Sequence, residues 1–235
     1  MRDPGSADPA RLLFLFDVDN TLLDNDRIAA DLREHLTREV GRGRQEQYWR
    51  IFEQLRDELG YADYLGALQR YRIQHPREPH LLAISSYLVN YPFADRLFPG
   101  ALDVLKHARA FGPTVILSDG DVVFQPLKVE RSGLFKAVEG RVLIYIHKEA
   151  ELDDVERRYP AAHYVLVDDK VRILAAIKQR WGDRLTTVFP RQGHYAHGPE
   201  VARHPVPDIT IDQIADLMDY DAPTLLEAAR RKGAR

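Results

Sequence analysis

Residues 12–21 read Leu-Leu-Phe-Leu-Phe-Asp-Val-Asp-Asn-Thr, and this stretch decides the fold. Five successive apolar residues are too few for a helix of their own, and they end in acidic and turn-forming residues, which is typical of a buried strand. A strand that is apolar on both faces is typical of a parallel sheet covered by helices. We therefore predict a buried parallel strand that ends at Asp17.

Short apolar runs of the same kind recur along the chain. They lie at 114–117, 142–146, 164–167 and 186–189, and segments with helical spacing separate them at 102–108, 122–131, 150–158 and 171–181. The alternation of strands and helices predicts a doubly wound α/β sheet.

Residues from about 25 to 97 interrupt this alternation, because they contain helical patterns and no convincing strand. The patterns are Ile28, Leu32 and Leu36; Trp49, Phe52, Leu55 and Leu59; and Tyr64, Leu68 and Tyr71. We predict an all-helical insert at 25–97 and a core formed by 1–24 and 98–235, with the return hinge at 92–100. The aromatic residues of the insert are expected to pack mainly inside it, with one or two lining a substrate pocket.

The composition argues against several classes of function. With 33 basic and 36 acidic residues the formal charge is −3, so no global basic field favours a stable nucleic-acid or membrane partner. The absence of cysteine excludes disulfides and thiolate chemistry and fits a reducing compartment. No apolar run approaches the roughly 20 residues of a membrane span. We expect a cytoplasmic protein, with a solvated helix end at 228–235 and an oligomeric state that the sequence does not reveal.

Polar side chains follow the predicted strands. These residues are Asp17 and Asp19 after the first, Ser118 and Asp119 after the second, Lys148 after the third, and Asp168 and Asp169 after the fourth. Ligands bind beyond the carboxyl ends of parallel strands, so we expect these groups to converge. Two carboxylates about 4 Å apart repel by about 4 kcal/mol at an effective dielectric of 20, so a cation is needed. Oxygen ligands favour Mg²⁺, and such a site suits phosphoryl transfer.

The segment Phe16-Asp17-Val18-Asp19-Asn20-Thr21-Leu22 resembles the first motif, D-x-D-x-T, of the haloacid dehalogenase superfamily of phosphatases. The later strand ends resemble its other three motifs in order and spacing. The resemblance covers nearly the whole chain. It implies a Rossmann-like core with a helical cap inserted directly after the first motif, the placement called a C1 cap. It also implies a Mg²⁺-dependent phosphatase that hydrolyses a small phosphorylated metabolite through an aspartyl-phosphate.

The resemblance further implies a role for each motif residue. Asp17 would be the nucleophile, and Asp19 would protonate the leaving group and then activate water. Ser118 would donate a hydrogen bond to the phosphate, and Lys148 would stabilise nucleophile and phosphate. The metal would be held by Asp17, the backbone carbonyl of Asp19 and Asp168, with Asp169 behind it.

Two positions depart from the family pattern. Glu149 follows Lys148 where proline is common, and its carboxylate could pair with the ammonium group. Lys128 is therefore a second candidate for the third-motif lysine. Val167 stands where the fourth motif often begins with glycine, which leaves both acids in place.

Other functions share parts of this pattern. A phosphomutase would retain all four motifs, whereas 2-haloacid dehalogenases lack the second acid that Asp19 supplies. A catalytically silent binding or regulatory relative would result if Glu149 disabled Lys148. Receiver domains of signalling proteins also assemble acids, a hydroxyl and a lysine around Mg²⁺. They lack a large insert after the first strand, which argues against that class. Arg191 or His194, after the fifth strand, is a candidate contact for an anionic substrate group, and the sequence does not identify the substrate's organic part.

Overall fold

Six parallel strands form one sheet in a computed structural model of the chain, which describes residues 11–230. The strands are Leu13–Phe16 (β1), Thr114–Asp119 (β2), Val142–Tyr145 (β3), Tyr164–Val167 (β4), Leu185–Pro190 (β5) and Ile209–Ile211 (β6), in the order β3-β2-β1-β4-β5-β6. Phe16 is in register with Ile116 of β2 and Val167 of β4. The residues that follow these three central strands therefore leave the sheet at the same edge.

Helices cover both faces of this sheet. The described residues contain Asn25–Val40 (α1), Arg42–Leu59 (α2), Tyr64–Gln74 (α3), Leu81–Val89 (α4), Ala101–Arg109 (α5), Phe124–Arg131 (α6), Leu134–Ala137 (α7), Leu152–Arg158 (α8), Val171–Trp181 (α9) and Ala222–Arg230 (α10). Alternate residues of β1 serve the two layers: Phe14 and Phe16 pack into one apolar cluster, Leu13 and Leu15 into the other. The predicted α/β sheet with inserted helices is confirmed.

Helices α1 to α4 follow β1 directly and form the insert. The Asp24 side chain caps α1 by accepting a hydrogen bond of 2.9 Å from the backbone N–H of Arg27. Ile28, Leu32 and Leu36 recur every fourth residue and are buried, as the helical spacing predicts. Burial of each such side chain stabilises the fold by about 1.5–3 kcal/mol.

The two connections between the sheet and the insert run side by side. Leu23 and Leu97 form an isolated antiparallel bridge. The Asp24 N–H donates to the Arg96 carbonyl at 2.7 Å, and the Phe98 N–H donates to the Leu22 carbonyl at 2.9 Å. The return segment contains a 3₁₀ helix at Phe93–Arg96. Both ends of the insert are thus fixed to each other where they meet the sheet.

Some element boundaries differ from the sequence prediction. Helix α6 begins at Phe124, because the Asp121 side chain accepts hydrogen bonds from the N–H groups of Val123 and Phe124 at 2.8 and 2.6 Å. A 3₁₀ turn at Lys148–Ala150 precedes α8. Helix α4 and strand β6 were not predicted from the sequence. Within residues 11–230 no helix is long and apolar enough to cross a membrane. Residues 231–235 of the basic end lie outside the described part.

Candidate active site

Three acidic residues meet beyond the carboxyl ends of the neighbouring strands β1 and β4. Asp17 follows β1, and Asp168 and Asp169 follow β4. One carboxylate oxygen of each lies within 4.8 Å of the others. Asp17 is 3% exposed, and Asp168 and Asp169 are fully buried. The predicted convergence of these three carboxylates is present in the structure.

Lys148 places its ammonium group between two of these acids. Its Nζ lies 2.5 Å from Asp17 Oδ1 and 2.6 Å from Asp168 Oδ2, and the side chain is fully buried. The Asp119 carboxylate holds the Lys148 backbone by accepting its N–H at 2.7 Å. Burial alone would lower the pKa of Lys148, but Asp168, Asp17 and Asp119 raise it well above its ordinary value. The group is therefore a fixed positive charge.

Glu149 does not neutralise Lys148. Its Oε1 accepts a hydrogen bond from Arg172 at 2.6 Å, while Lys148 contacts the acids. The alternative lysine, Lys128, contacts Asp19 instead of the three-acid cluster. Of the two lysines that the sequence left open, the structure brings Lys148 to Asp17.

Ser118 lies beside Asp17 on the neighbouring strand. Its hydroxyl is 3.3 Å from Asp17 Oδ1 and accepts a hydrogen bond of 2.9 Å from the Gln125 side chain. The hydroxyl can donate to Asp17 Oδ1 or to the Asp119 carbonyl, each at 3.3 Å, so it can also donate to an anionic group bound at Asp17. Gln125 fixes the orientation of that donor.

The acid cluster has the properties of a divalent-metal site. Burial raises the pKa of Asp168 to about 6 and the pKa of Asp169 well above its ordinary value. Within residues 11–230, Asp17 Oδ2 and both Asp169 oxygens are buried without a hydrogen-bond partner. Unpartnered carboxylate oxygens at such spacing fit a hard cation that takes oxygen ligands. The residues present therefore fit Mg²⁺.

Asp19 lies apart from this cluster and faces the insert. Both its carboxylate oxygens accept hydrogen bonds from Lys128, at 2.8 and 2.9 Å. Its side chain is 21% exposed, whereas Lys128 is 1% exposed. The second acid of the first motif is thus the one that opens to solvent.

A cleft of about 830 Å³ lies between the sheet edge and the insert. Asp19, Asp119 and Lys170 contribute to its lining from the sheet side. The lining from the insert includes Arg33, Trp49, Phe52, Arg56, Tyr61 and Tyr64. The five aromatic residues that were expected to pack mainly within the insert, Tyr48, Trp49, Phe52, Tyr64 and Tyr71, are all buried, and three of them line the cleft where one or two were expected. Asp17 is largely covered, so a substrate reaches it only if the side chains around it move.

Several residues of the site were not predicted as part of it. Burial would lower the pKa of Lys170, but Asp17 and Asp169 raise it above its ordinary value. The Thr21 hydroxyl accepts the backbone N–H of Asp169 at 3.1 Å, which joins the loops after β1 and β4. The signal for Lys170 was its position directly after the Asp168-Asp169 pair.

The loop after β5 makes different contacts from those expected of a substrate-binding loop. His194 Nδ1 lies 2.6 Å from Asp26 Oδ1 at the start of α1, and Arg191 lies 3.8 Å from Asp212. His194 still lines the cleft. Arg191 does not contribute to that lining, so of the two candidates only His194 faces the cleft.

Comparison with known proteins gives a consistent result. A family model described as haloacid dehalogenase-like hydrolase matches residues 12–179. The solved structure of a protein described as a haloacid dehalogenase-like hydrolase, from Burkholderia xenovorans LB400, is 64% identical, with a TM-score of 0.88. That match covers 91% of this chain and 100% of the other. A comparison with curated proteins found no match.

More distant solved structures share the fold. The HAD-hydrolase YfnB from Bacillus subtilis, bound to magnesium, is 18% identical, with a TM-score of 0.58 and coverage of 90% of this chain and 98% of the other. L-2-haloacid dehalogenase from Xanthobacter autotrophicus, with chloropropionic acid covalently bound, is 17% identical, with a TM-score of 0.59 and coverage of 89% and 97%. At this identity the similarity concerns the fold alone.

Proposed function

The chain belongs to the haloacid dehalogenase-like hydrolases, and from this premise we propose that it is a Mg²⁺-dependent phosphatase of small phosphomonoesters. The observation that carries the proposal is that the two acids of the first motif, Asp17 and Asp19, lie in different environments. Asp17 lies buried against Lys148 and the other acids, whereas Asp19 opens on the cleft. A nucleophile and a separate proton donor are what hydrolysis of a phosphomonoester through a covalent intermediate requires.

In the first half-reaction an Asp17 oxygen attacks phosphorus and the bond from phosphorus to the substrate oxygen breaks. Asp19 gives a proton to that leaving oxygen. In the second half-reaction Asp19 takes a proton from water, whose oxygen attacks phosphorus, and the bond to Asp17 breaks, which releases inorganic phosphate. Lys148 and the Ser118 hydroxyl stabilise the negative charge on the phosphoryl oxygens.

Asp17, Asp168 and Asp169 would hold the metal ion, with the Asp19 backbone carbonyl as a further ligand. When bound, Mg²⁺ supplies positive charge that offsets both the crowded carboxylates and the phosphate. The unpartnered oxygens of Asp17 and Asp169 support this assignment.

Haloacid dehalogenation is the competing function within the same fold. A halide leaves carbon without a proton, so that reaction gives no task to a second acid such as Asp19. The dehalogenases among the similar structures are under 20% identical to this chain. The second acid therefore favours phosphate esters over haloacids. A phosphomutase differs from the proposal in that it releases no inorganic phosphate.

We also propose a domain organisation, a partner and a cellular location for the enzyme. We assign residues 1–24 and 98–235 to the catalytic core, of which the structure describes 11–24 and 98–230, and residues 25–97 to the cap that sets substrate choice. The partner is a small phosphorylated metabolite, and the location is the cytoplasm.

The test is release of inorganic phosphate from a panel of phosphomonoesters, with and without Mg²⁺. Asp17→Asn is expected to abolish release. Asp153→Asn is the matched control, because Asp153 is 83% exposed and lies outside the cleft. Phosphate release that survives in Asp17→Asn, or halide release from haloacids without phosphate release, would overturn the proposal.

A further inference from the structure

Lys128 is a buried lysine. Neither the family motifs nor the acid cluster explains its position. It lies on α6 and is 1% exposed. Its Nζ is 2.8 and 2.9 Å from the two carboxylate oxygens of Asp19 and 2.9 Å from Asn25 Oδ1. An ammonium group has three N–H donors, so these three acceptors use all of them.

The surroundings of Lys128 join the sheet to the insert. Asn25 is the first residue of α1, and Tyr64 is the first residue of α3. The Lys128 ammonium lies 5.8 Å from the centroid of the Tyr64 ring and 5.3 Å from that of Phe124. Aromatic faces within about 6 Å attract a cation, and more strongly when water is excluded. One ammonium group therefore contacts the second acid and two helices of the insert.

Stability alone does not explain a lysine at this position. Taking an ammonium group out of water is costly, and apolar residues of similar volume often replace buried ion pairs without loss of stability. Helix α6 buries Phe124 and Val129 beside Lys128, so an apolar side chain would suit the site. The lysine is better explained by what it does to Asp19.

We infer that Lys128 is a positioning residue, which holds the Asp19 carboxylate at the junction of sheet and insert for proton exchange with the leaving-group oxygen. This inference rests on the proposed phosphatase function. A proton donor acts only within about 2.6–3.2 Å of the oxygen it serves. Two hydrogen bonds from one ammonium group to one carboxylate restrict rotation of that carboxylate in its ionised form, the form that accepts a proton from water. When Asp19 carries the proton for the leaving group, one of the two hydrogen bonds is given up and the other keeps the group in place. Tyr64 and Asn25 couple its position to that of the insert.

The choice of leaving group separates this role from a merely structural one. An alkoxide needs a proton as it leaves, whereas p-nitrophenolate is stable without one. A displaced Asp19 should therefore lower kcat/KM for alkyl phosphates and spare kcat/KM for p-nitrophenyl phosphate, because kcat/KM reports the steps up to loss of the leaving group. The later activation of water by Asp19 is common to both esters and affects kcat for both. Misplacement by about 1 Å can cost about 100-fold in rate, so we expect a loss of about 10- to 100-fold in kcat/KM for the alkyl ester. A defect in folding would lower both rates equally.

The experiment measures kcat/KM for p-nitrophenyl phosphate and for an alkyl phosphomonoester that the wild-type chain hydrolyses. The variants are Lys128→Met, Lys128→Arg, Asp19→Asn and the double variant Asp19→Asn with Lys128→Met. Lys136→Met is the matched control, because Lys136 is exposed and lies on α7, outside the cleft. We expect the alkyl-to-aryl ratio to fall in Lys128→Met, to recover partly in Lys128→Arg and to stay unchanged in Lys136→Met. In Asp19→Asn, the added Lys128→Met change should lower the ratio no further.

An unchanged ratio in Lys128→Met, with wild-type chain active, would overturn the inference and leave the phosphatase proposal intact. A wild-type chain that releases no phosphate from any ester would refute the proposed function itself. In that case the contact between Lys128 and Asp19 is tested by urea unfolding. The four chains compared are the wild type, Lys128→Met, Asp19→Asn and the double variant. Additive effects on the unfolding free energy would overturn the inference, and a coupling between Asp19 and Lys128 would support the positioning contact.

Discussion

Replacement of Lys148 by methionine tests the electrostatic core of the site most directly. Lys148→Met keeps an unbranched side chain, one heavy atom shorter, and removes the ammonium group that lies 2.5 Å from Asp17 and 2.6 Å from Asp168. Both carboxylates then remain buried without this salt-bridge partner, and Lys170, whose charge also acts on Asp17 and Asp168, is left to offset them. We expect the variant to lose both phosphatase activity and stability in the absence of metal.

The size of the stability loss follows from these distances. At an effective dielectric of about 20, a contact of roughly 2.5 Å corresponds to an attraction of about 6–7 kcal/mol. Much of this attraction offsets the cost of taking the charges out of water, so removal of one partner of a buried pair costs about 3–5 kcal/mol. That is a large part of the roughly 5–15 kcal/mol by which a domain is stable.

The assay is urea unfolding followed by circular dichroism, with metal chelated and then with Mg²⁺ added. Lys148→Met should unfold at a lower urea concentration, and Mg²⁺ should restore part of the difference, since it replaces the missing positive charge. Lys136→Met is the control for removal of an exposed lysine and should change the unfolding free energy by less than about 0.5 kcal/mol.

A second substitution decides whether uncompensated charge is the cause. Asp168→Asn added to Lys148→Met removes one of the two carboxylates that have lost their salt bridge. The double variant should therefore be more stable than Lys148→Met alone. If the loss came from a cavity or from lost packing, the second change would lower stability further. A double variant no more stable than Lys148→Met would refute the electrostatic reasoning.

Three further predictions concern other parts of the molecule. Asp169→Asn should reduce the rise in melting temperature that Mg²⁺ gives the wild-type chain, as measured by thermal shift; an undiminished rise would contradict the assigned metal site. Burial lowers the pKa of His163 to about 4, so the unfolded chain takes up a proton on this side chain before the folded chain does. Stability is therefore full above pH 6.5 and is lost as the pH falls towards 4, by about 1–3 kcal/mol after allowance for solvent screening. Urea unfolding at pH 7 and 4.5 should therefore show a smaller acid-induced loss in His163→Gln, and equal losses would argue against this. Gly193→Ala should cost about 1–3 kcal/mol and lower activity, because φ is +67° and a Cβ would lie 2.5 Å from Asn20 Cβ; wild-type stability would show that the loop adapts.

The sequence predicts the sheet and the acid cluster because both follow from local patterns. An apolar run such as Leu12–Phe16 specifies a buried strand, and the strands of a parallel sheet end at one edge, so Asp17 and Asp168 meet although they are far apart in sequence. For Asp17 and Asp168, the position directly after a strand is therefore enough to predict that the residue belongs to the site.

Other features depend on packing that no local pattern describes. From the sequence, Lys128 was a candidate only as an alternative to Lys148. In the structure its ammonium group contacts the Asp19 carboxylate. The one available signal was its position four residues after Phe124, on the apolar side of a helix. Strand β6 has three residues, too few for a pattern, and α4 is too apolar to show a clear polar face.

The paired connections at Leu23 and Leu97 have a consequence for how such enzymes diversify. Because the chain leaves the sheet and returns to it at adjacent positions, the four inserted helices are formally one long loop closed at its base. The entropic cost of closing a loop rises only by about 0.6 kcal/mol for each doubling of its length. Inserts of other lengths and shapes could therefore be exchanged at this junction with little change to the sheet beneath. If the insert sets substrate choice, as proposed, that choice and the chemical step could evolve separately.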